Sequence, residues 1–492
     1  MPDSSLPAPL APGFADPLAT GAALARPARL PSAAYAEVGD AAGGLGTSYT
    51  IGIGDLFDGR LSSAADVDWV RLNLVAGQSY VFSLWGTGGS SSGVSDTILK
   101  LYSSVGSLVA QNDDAEAATG NHFSQIRFTA TTTGTYYLGL TGGGGDSGTY
   151  RLQTATNIYT LDQVVTQLTA FGWGITTPIA HDERPGDTLV ADISRLTAAG
   201  KQLALWALEA WSTATGIRIV TGTSAADIVF DDNQPGAFAG PNAYYPTTGQ
   251  IVQSDVNIST SWLSTYGTSI GSYSFLTYLH EIGHALGLYH AGPYDGSANY
   301  ATDAAYRNDS YQMTIMSYFD MVDNTFITAS DFLPITPMLG DIAAIEALYG
   351  PNTTARAGDT IWGAHSTVGG YLETIFGYLF DADPVNAAIF NNGAVAWTIQ
   401  DASGIDTIDL STVTQANRVD LAEEAVSDVK GLIGNMVIAR GTVIENVLGG
   451  SGADTLSGNG ADNLMQGNAG ADRILGLLGD DLLSGDAGND TL

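Results

Sequence analysis

Three histidines and a glutamate fall within one short stretch, His280-Glu-Ile-Gly-His-Ala-Leu-Gly-Leu-Tyr-His290. Histidines four apart on a helix share one face about a turn apart, so His280 and His284 can reach a single ion. Glu281 lies roughly 100° round the helix from His280 and suits a task beside the ion better than ligation. Gly287 can adopt a left-handed backbone, which ends the helix and brings His290 in from another direction. Three imidazoles leave the fourth tetrahedral position open to water, the mark of a catalytic rather than a structural zinc site. Zinc there would bring water to a pKa of about 7 and polarise a scissile carbonyl, while Glu281 takes the proton and passes it to the leaving amine. Peptide hydrolysis is the natural product of such an arrangement.

The rest of the composition narrows the options. The chain has 492 residues and no cysteine, so metal ligands must be nitrogen or oxygen donors and no thiol can mask the zinc. With 17 Lys and Arg against 51 Asp and Glu, the formal net charge is −34. That charge repels nucleic acid and anionic membranes, and no basic cluster offsets it. No apolar run reaches the roughly 18 residues of a membrane span, and the start of the chain lacks a Sec-type signal.

These chemical residues need elements to hold them. The expected fold class is multidomain, an α+β zinc-protease domain flanked by an N-terminal all-β sandwich and a C-terminal parallel β-roll. Residues 1–46 are Ala/Pro-rich and aperiodic and read as a flexible leader or a pro-segment. Residues 47–156 alternate in strands such as Tyr80–Trp85 and Thr135–Leu140 between Gly/Ser/Asp turns. Residues 157–351 mix a helix through Leu203, Leu208 and Trp211, a strand over Ala226–Phe230, a helix over Phe275–Leu288 and a helix start at Pro337. Residues 352–448 read as a bridging β segment, and residues 449–492 as a repeat.

Two resemblances sit on this frame. The segments Asp66-Val-Asp-Trp69, Asp96–Tyr102, Asn112-Asp-Asp114 and Gly134–Tyr137 resemble the bacterial pre-peptidase C-terminal domain, a β-sandwich often attached to secreted proteases. Its Asp pairs either bind calcium or cap turns. The histidine motif is that of metzincins, with Thr314-Ile-Met-Ser-Tyr318 as their Met-turn. The wider match, from about residue 160 onward, is to serralysins, secreted RTX metalloproteases of bacteria. The resemblance implies that His280, His284 and His290 bind one zinc, that Met316 forms a floor beneath it, and that Tyr318 stabilises the tetrahedral intermediate. A phenol is a suitable donor for that task. The run Ala237–Tyr245 is either the cleft-edge strand that pairs with extended substrate or an ordinary edge strand. After His290 the chain reads Ala-Gly-Pro-Tyr-Asp295 where the family has Pro-Gly-Asp-Tyr, and Gly340 stands where an Asp is common, beside Asp341.

From Gly449 the Gly-x-Asp triplets recur with glycines at 452, 460, 470, 479 and 488 and aspartates at 454, 462, 472, 481 and 490. Spacings of 8, 10, 9 and 9 average the nine residues of the RTX β-roll repeat. Asp454, Asp462, Asp472, Asp481 and Asp490, with Gly470, Gly479 and Gly488, are expected to ligate calcium, and the Leu or Ile two residues after each Asp to fill the core. Seven Asp against the single base Arg473 imply that the roll folds only with calcium. By matched position, the family implies further calcium ligands at Arg356, Gly358 and Thr360 with Asp401, Ser403, Gly404 and Asp406. Val443 and Glu445 would then join Gly450, Gly452 and Asp454.

The resemblance also implies type I export to the extracellular space and monomeric action on protein substrates. The C-terminal signal for that route finds no room before Leu492, which falls inside a repeat, so the chain is expected to be truncated. Two rival readings share these residues. One is a non-catalytic calcium-binding adhesin, and the other a zinc hydrolase of non-peptide amides, which would need a small closed pocket rather than a groove.

Overall fold

A computed structural model describes residues 34–492 apart from 88–91, 116–120, 174–176, 246, 385, 391 and 392. Most of the expected leader, residues 1–33, lies outside the described residues. The strand Ala34–Ala36 pairs in parallel with Leu56–Leu61, so the sandwich begins about a dozen residues earlier than the expected boundary at 47.

The sandwich stacks a five-stranded sheet, ordered Ala34–Ala36, Leu56–Leu61, Gly148–Thr156, Ser79–Gly86, Ser124–Thr129, on a four-stranded one. The second runs Asp68–Leu74, Gly134–Gly142, Thr97–Ser103, Leu108–Asn112. Alternate side chains point inward as strand geometry requires. Phe57, Val70, Leu72, Phe82, Leu84, Leu99, Leu101, Leu138 and Leu152 fill the space between the sheets. Of the Asp pairs, Asp66 accepts from the Ser62 amide at 2.6 Å and so caps a turn, whereas Asp68 is buried and accepts the Tyr150 hydroxyl at 2.6 Å.

The central domain has one five-stranded sheet, ordered Arg218–Thr221, Thr188–Asp192, Ile228–Asp231, Ile251–Ile258, Ala237–Tyr244. Four strands are parallel, and Ala237–Tyr244 closes the sheet as an antiparallel edge with a bulge near Pro241–Ala243. The helix Ala198–Thr215 starts on the Thr197 side chain, which accepts from the Gly200 amide, and ends at Gly216. It packs against the histidine helix Tyr273–Ala285, which in turn lies on the two last strands of the sheet. Between these helices the Trp211 indole donates to the Leu279 carbonyl at 2.9 Å.

Beyond residue 350 two expectations change. The bridging segment contains the helix Gly370–Phe380, missed because its residues are apolar on most faces and show no clear period. The roll also begins well before 449. Its first sheet runs in parallel through Ile361–Gly363, Thr407–Asp409, Asn446–Leu448, Leu464–Gln466 and Leu482–Ser484. Its second runs through Arg418–Asp420, Thr455–Ser457 and Arg473–Leu475. Val447 opposes Met465 and Leu456 opposes Ile474, so one turn of the roll takes 18 residues, two repeats (465 − 447 = 474 − 456 = 18). The buried residues Val447, Leu456, Met465 and Ile474 stand nine apart and join the same apolar core as the histidine helix.

That frame corrects the repeat count. Counting in nines from Asp454 gives Asn463, Asp472, Asp481 and Asp490, so Asn463 and not Asp462 holds the second inward position. Asn463 is buried, while Asp462 is exposed and accepts the Asp480 amide at 2.8 Å. The core residue of that repeat is accordingly Met465 rather than Leu464, and Leu492, two residues after Asp490, is exposed.

Candidate active site

The histidine helix starts on Ser272, whose side chain accepts from the Phe275 amide, and ends at Ala285, shorter than the expected run to Leu288. Gly287 has φ +102°, and a Cβ there would stand 2.2 Å from the Ile179 carbonyl oxygen, so only glycine makes this turn. The turn returns His290 to the helix. The His284 Nε2 then lies 3.1 Å from His280 Nε2 and 3.0 Å from His290 Nε2.

Protein groups fix two of these rings. His280 Nδ1 lies 2.7 Å from the Ile315 carbonyl and His284 Nδ1 lies 2.8 Å from the Leu288 carbonyl. A carbonyl can only accept, so both Nδ1 atoms carry the proton and both Nε2 atoms present lone pairs. Converging lone pairs repel one another unless a cation lies among them, and the donor set suits zinc. Burial lowers the pKa of His280 to about 4 and, with His280 beside it, that of His284 to about 3. His290 is lowered well below its usual range by the same causes. All three are therefore neutral at pH 7, the form that binds metal.

The end of the helix is held from four directions. Ser254 Oγ donates to the Ala285 carbonyl at 2.7 Å, and His181 Nε2 approaches the same oxygen at 3.1 Å. Tyr349 Oη donates to Leu286 at 2.8 Å and Trp173 Nε1 to Gly287 at 2.8 Å. These side chains satisfy carbonyls that a helix end leaves without partners. Sequence reading missed all four, since nothing local marks a donor that acts across the fold.

Met316 lies fully buried beneath the helix, where a Cβ on Gly283 would come within 2.7 Å of its Sδ. Its turn is fixed by the buried Asp341 carboxylate, which accepts the Thr314 hydroxyl at 2.5 Å and the Ile315 and Met338 amides at 2.8 Å each. The adjacent Gly340 amide donates to the Met313 carbonyl at 2.7 Å. Asp341 is thus a second support that its neighbourhood in the sequence did not explain.

Tyr318 sets its ring 4.7 Å from that of His290 and 4.7 Å from that of Tyr294. Tyr294 belongs to the altered segment after His290, and its hydroxyl donates to the buried Asp309 at 3.0 Å. Glu281, His280 and Tyr318 line one slot with Ala237 of the edge strand. The expected site residues His280, Glu281, His284, His290 and Tyr318 therefore come together.

The expected calcium ligands form two edges of the roll. On one, Thr360 donates its amide to Asp406 at 2.8 Å and its hydroxyl to the Gly358 and Arg356 carbonyls at 3.1 and 3.3 Å. The Gly358 amide meets the Ser403 carbonyl at 2.6 Å, and the Asp406 amide meets Glu445 at 2.7 Å. Gly404 packs against the Gly358 carbonyl, and Asn463 donates its amide to Asp481 on this edge, with Gly479 beside Ala461. On the other edge, Asn417, Asp454, Asp472 and Asp490 form a ladder in which each amide meets the next carboxylate at 2.7 to 3.0 Å. Gly450 donates to Asp454, Gly470 pairs with Gly488, and Gly452 packs against Gln415. Glu445, next to the exposed Val443, thus sits with Asp406 and not with Gly450, Gly452 and Asp454 as expected. Successive repeats alternate between the edges, which neighbourhood in sequence conceals.

Four carboxylate oxygens on these edges are buried without a hydrogen-bond donor: both of Asp401, Oδ2 of Asp406 and Oδ2 of Asp472. Burial raises the pKa of Asp406 to about 7 and also raises those of Asp401 and Asp472. Unpartnered buried carboxylates call for cations, and oxygen donors in this number suit calcium.

Comparison with known proteins agrees part by part. Residues 66–142 match the bacterial pre-peptidase C-terminal domain, residues 351–473 the peptidase M10 serralysin C-terminal family, and residues 457–492 the RTX calcium-binding nonapeptide repeat. Serralysin of Photorhabdus laumondii is 38% identical over 290 residues, 56% of each chain. Metallopeptidase AprA of Pseudomonas marginalis is 35% identical over 294 residues, 56% of this chain and 57% of that one. Serralysin C of Dickeya chrysanthemi is 40% identical over 218 residues, 44% and 42% of the two. The chain spans about half the length of the curated relatives it matches. These matches make the chain similar to serralysins over about half its length, to RTX repeats at its C-terminal part and to the pre-peptidase C-terminal domain at its N-terminal part.

Proposed function

We propose that the protein is an extracellular, zinc-dependent endopeptidase of the metzincin type, stabilised by calcium. The observation that carries this reading is the convergence of three neutral imidazoles on one point, with Glu281 and Tyr318 on the same slot beneath an edge strand. Zinc held by His280, His284 and His290 would supply Lewis acidity that acidifies water and polarises a carbonyl. Glu281 takes a proton from water in the slot and returns it to the leaving amine. Tyr318 donates its hydroxyl to the carbonyl oxygen as charge develops there. The edge strand Ala237–Tyr244 offers its free side to an extended peptide backbone, as strand addition requires.

The slot opens beside an edge strand along which an extended peptide can lie, the arrangement a peptidase needs. Calcium completes the two roll edges, and type I export, monomeric action and protein substrates belong to the same reading.

Casein hydrolysis in millimolar calcium is the direct test. Glu281→Ala is expected to lose about 10² to 10⁴ of kcat with zinc content unchanged, because the carboxylate moves a proton and ligates nothing. A folded, zinc-loaded wild type that cleaves neither casein nor peptides would overturn the reading in favour of a calcium-binding adhesin.

A further inference from the structure

The N-terminal sandwich touches the catalytic wall directly. Asn121 is buried and donates from Nδ2 to the carbonyls of Phe171 and Gly172, each at 3.1 Å, while its Oδ1 accepts the Phe123 amide at 3.0 Å. Phe171 is buried in an aromatic cluster with two sandwich residues, edge-on to Trp85 with centroids 6.1 Å apart and 6.5 Å from Phe123. The next residue but one is Trp173. Its indole donates to Gly287, stands edge-on to His284 at 6.4 Å and packs on Tyr289 at 5.0 Å. The ring also reaches the edge strand, where a Cβ on Gly240 would lie 3.9 Å from Trp173 Cη2. Trp173 therefore spans the gap between a histidine of the site and the strand expected to hold substrate. A second contact joins the two domains: Arg127 of the sandwich donates to the carbonyls of Thr302 and Asp303 at 3.1 and 3.2 Å.

We propose that the sandwich is a built-in support for one wall of the cleft, and that Asn121 is a positioning residue which sets Trp173 between His284 and the edge strand. A tethered recognition module would need no buried amide whose two donors both end on the neighbouring domain, since such donors cost free energy when that domain moves away. Domains joined by loose linkers commonly meet through polar, dispensable contacts, whereas here buried aromatics from both sides share one cluster. The effect on peptide binding rests on the peptidase reading, but the placement of Trp173 does not.

Asn121→Asp tests this. It keeps the acceptor for the Phe123 amide and removes both donors to Phe171 and Gly172. In calcium- and zinc-loaded full-length protein, amide hydrogen exchange across residues 168–173 is expected to rise at least about tenfold, with zinc content unchanged. KM for an extended peptide is expected to rise about fivefold with kcat within about twofold, within the range that loss of the two hydrogen bonds can carry. Asn121→Ser, which also keeps the acceptor, should give the same pattern if the aspartate variant folds poorly. Unchanged exchange across 168–173 in a folded variant would overturn the proposal. Raised exchange with KM unchanged would confine the contact to stability and overturn the role in the cleft. If the wild type proves not to be a peptidase, the exchange arm still decides whether the sandwich holds this wall.

Discussion

The histidine centre and the calcium edges of the roll are both built to hold cations, yet the protein prepares them in opposite ways. Around the histidines, the surrounding chain already fixes what must not move: carbonyls hold two Nδ1 atoms, and four side chains hold the helix end. Along the roll, buried carboxylate oxygens of Asp401, Asp406 and Asp472 are left without donors. The first site is organised by the fold and, on the proposed reading, would use its ion for chemistry. In the second, the ion is part of the fold, because buried like charges and unmet acceptors weigh against folding until a cation joins them. A site that positions reacting groups gains from rigidity before the ion arrives, whereas a structural repeat can leave its last increment of stability to the medium.

Breaking the preorganised side of this contrast should have the largest effect. Asp341→Ala strands the Thr314 hydroxyl and the Ile315 and Met338 amides beneath the histidines, and should cost about 3 to 5 kcal/mol. Chemical denaturation in saturating calcium would register the loss, since added calcium cannot replace these bonds.

The roll offers a smaller and more pointed change. Asn463 now donates from Nδ2 to the Glu445 carbonyl at 3.0 Å, an amide where the repeat calls for a carboxylate. Asn463→Asp should tighten calcium binding on that edge by about tenfold and lower stability in chelator, because it adds ligand charge and removes a donor. Calcium titrations followed by calorimetry would separate the two effects.

A third change concerns pH. Burial raises the Asp309 pKa from 3.8 to about 7 behind Tyr294. The native state therefore keeps a proton that the unfolded chain has released, and stability falls as pH rises from about 4 to about 7. Asp309→Asn should flatten part of that slope in thermal melts, at every calcium concentration.

What the sequence disclosed follows the range of the interactions. The histidine triplet, Glu281 and the Met-turn were legible because helix spacing and one turn place them. Trp173, His181, Ser254 and Tyr349 were not, since each reaches the helix end from a distant element. The repeat was recognised but its frame slipped at Gly460 and Asp462, because Asn463 takes the inward place and the adjacent Asp imitates it. Glu445 was assigned to the wrong edge for a related reason: a nine-residue step crosses the roll, so neighbours in sequence face opposite ways. The helix Gly370–Phe380 escaped because a segment buried on several sides loses the period that reveals a helix.

Amide hydrogen exchange on one metal-free sample, repeated after adding zinc alone and calcium alone, tests the contrast most directly. The histidine helix Tyr273–Ala285 should be protected without metal and change little with zinc, while strands from Asn446 to Ser484 should gain protection only with calcium. A roll protected without calcium, or a histidine helix that orders only with zinc, would contradict it.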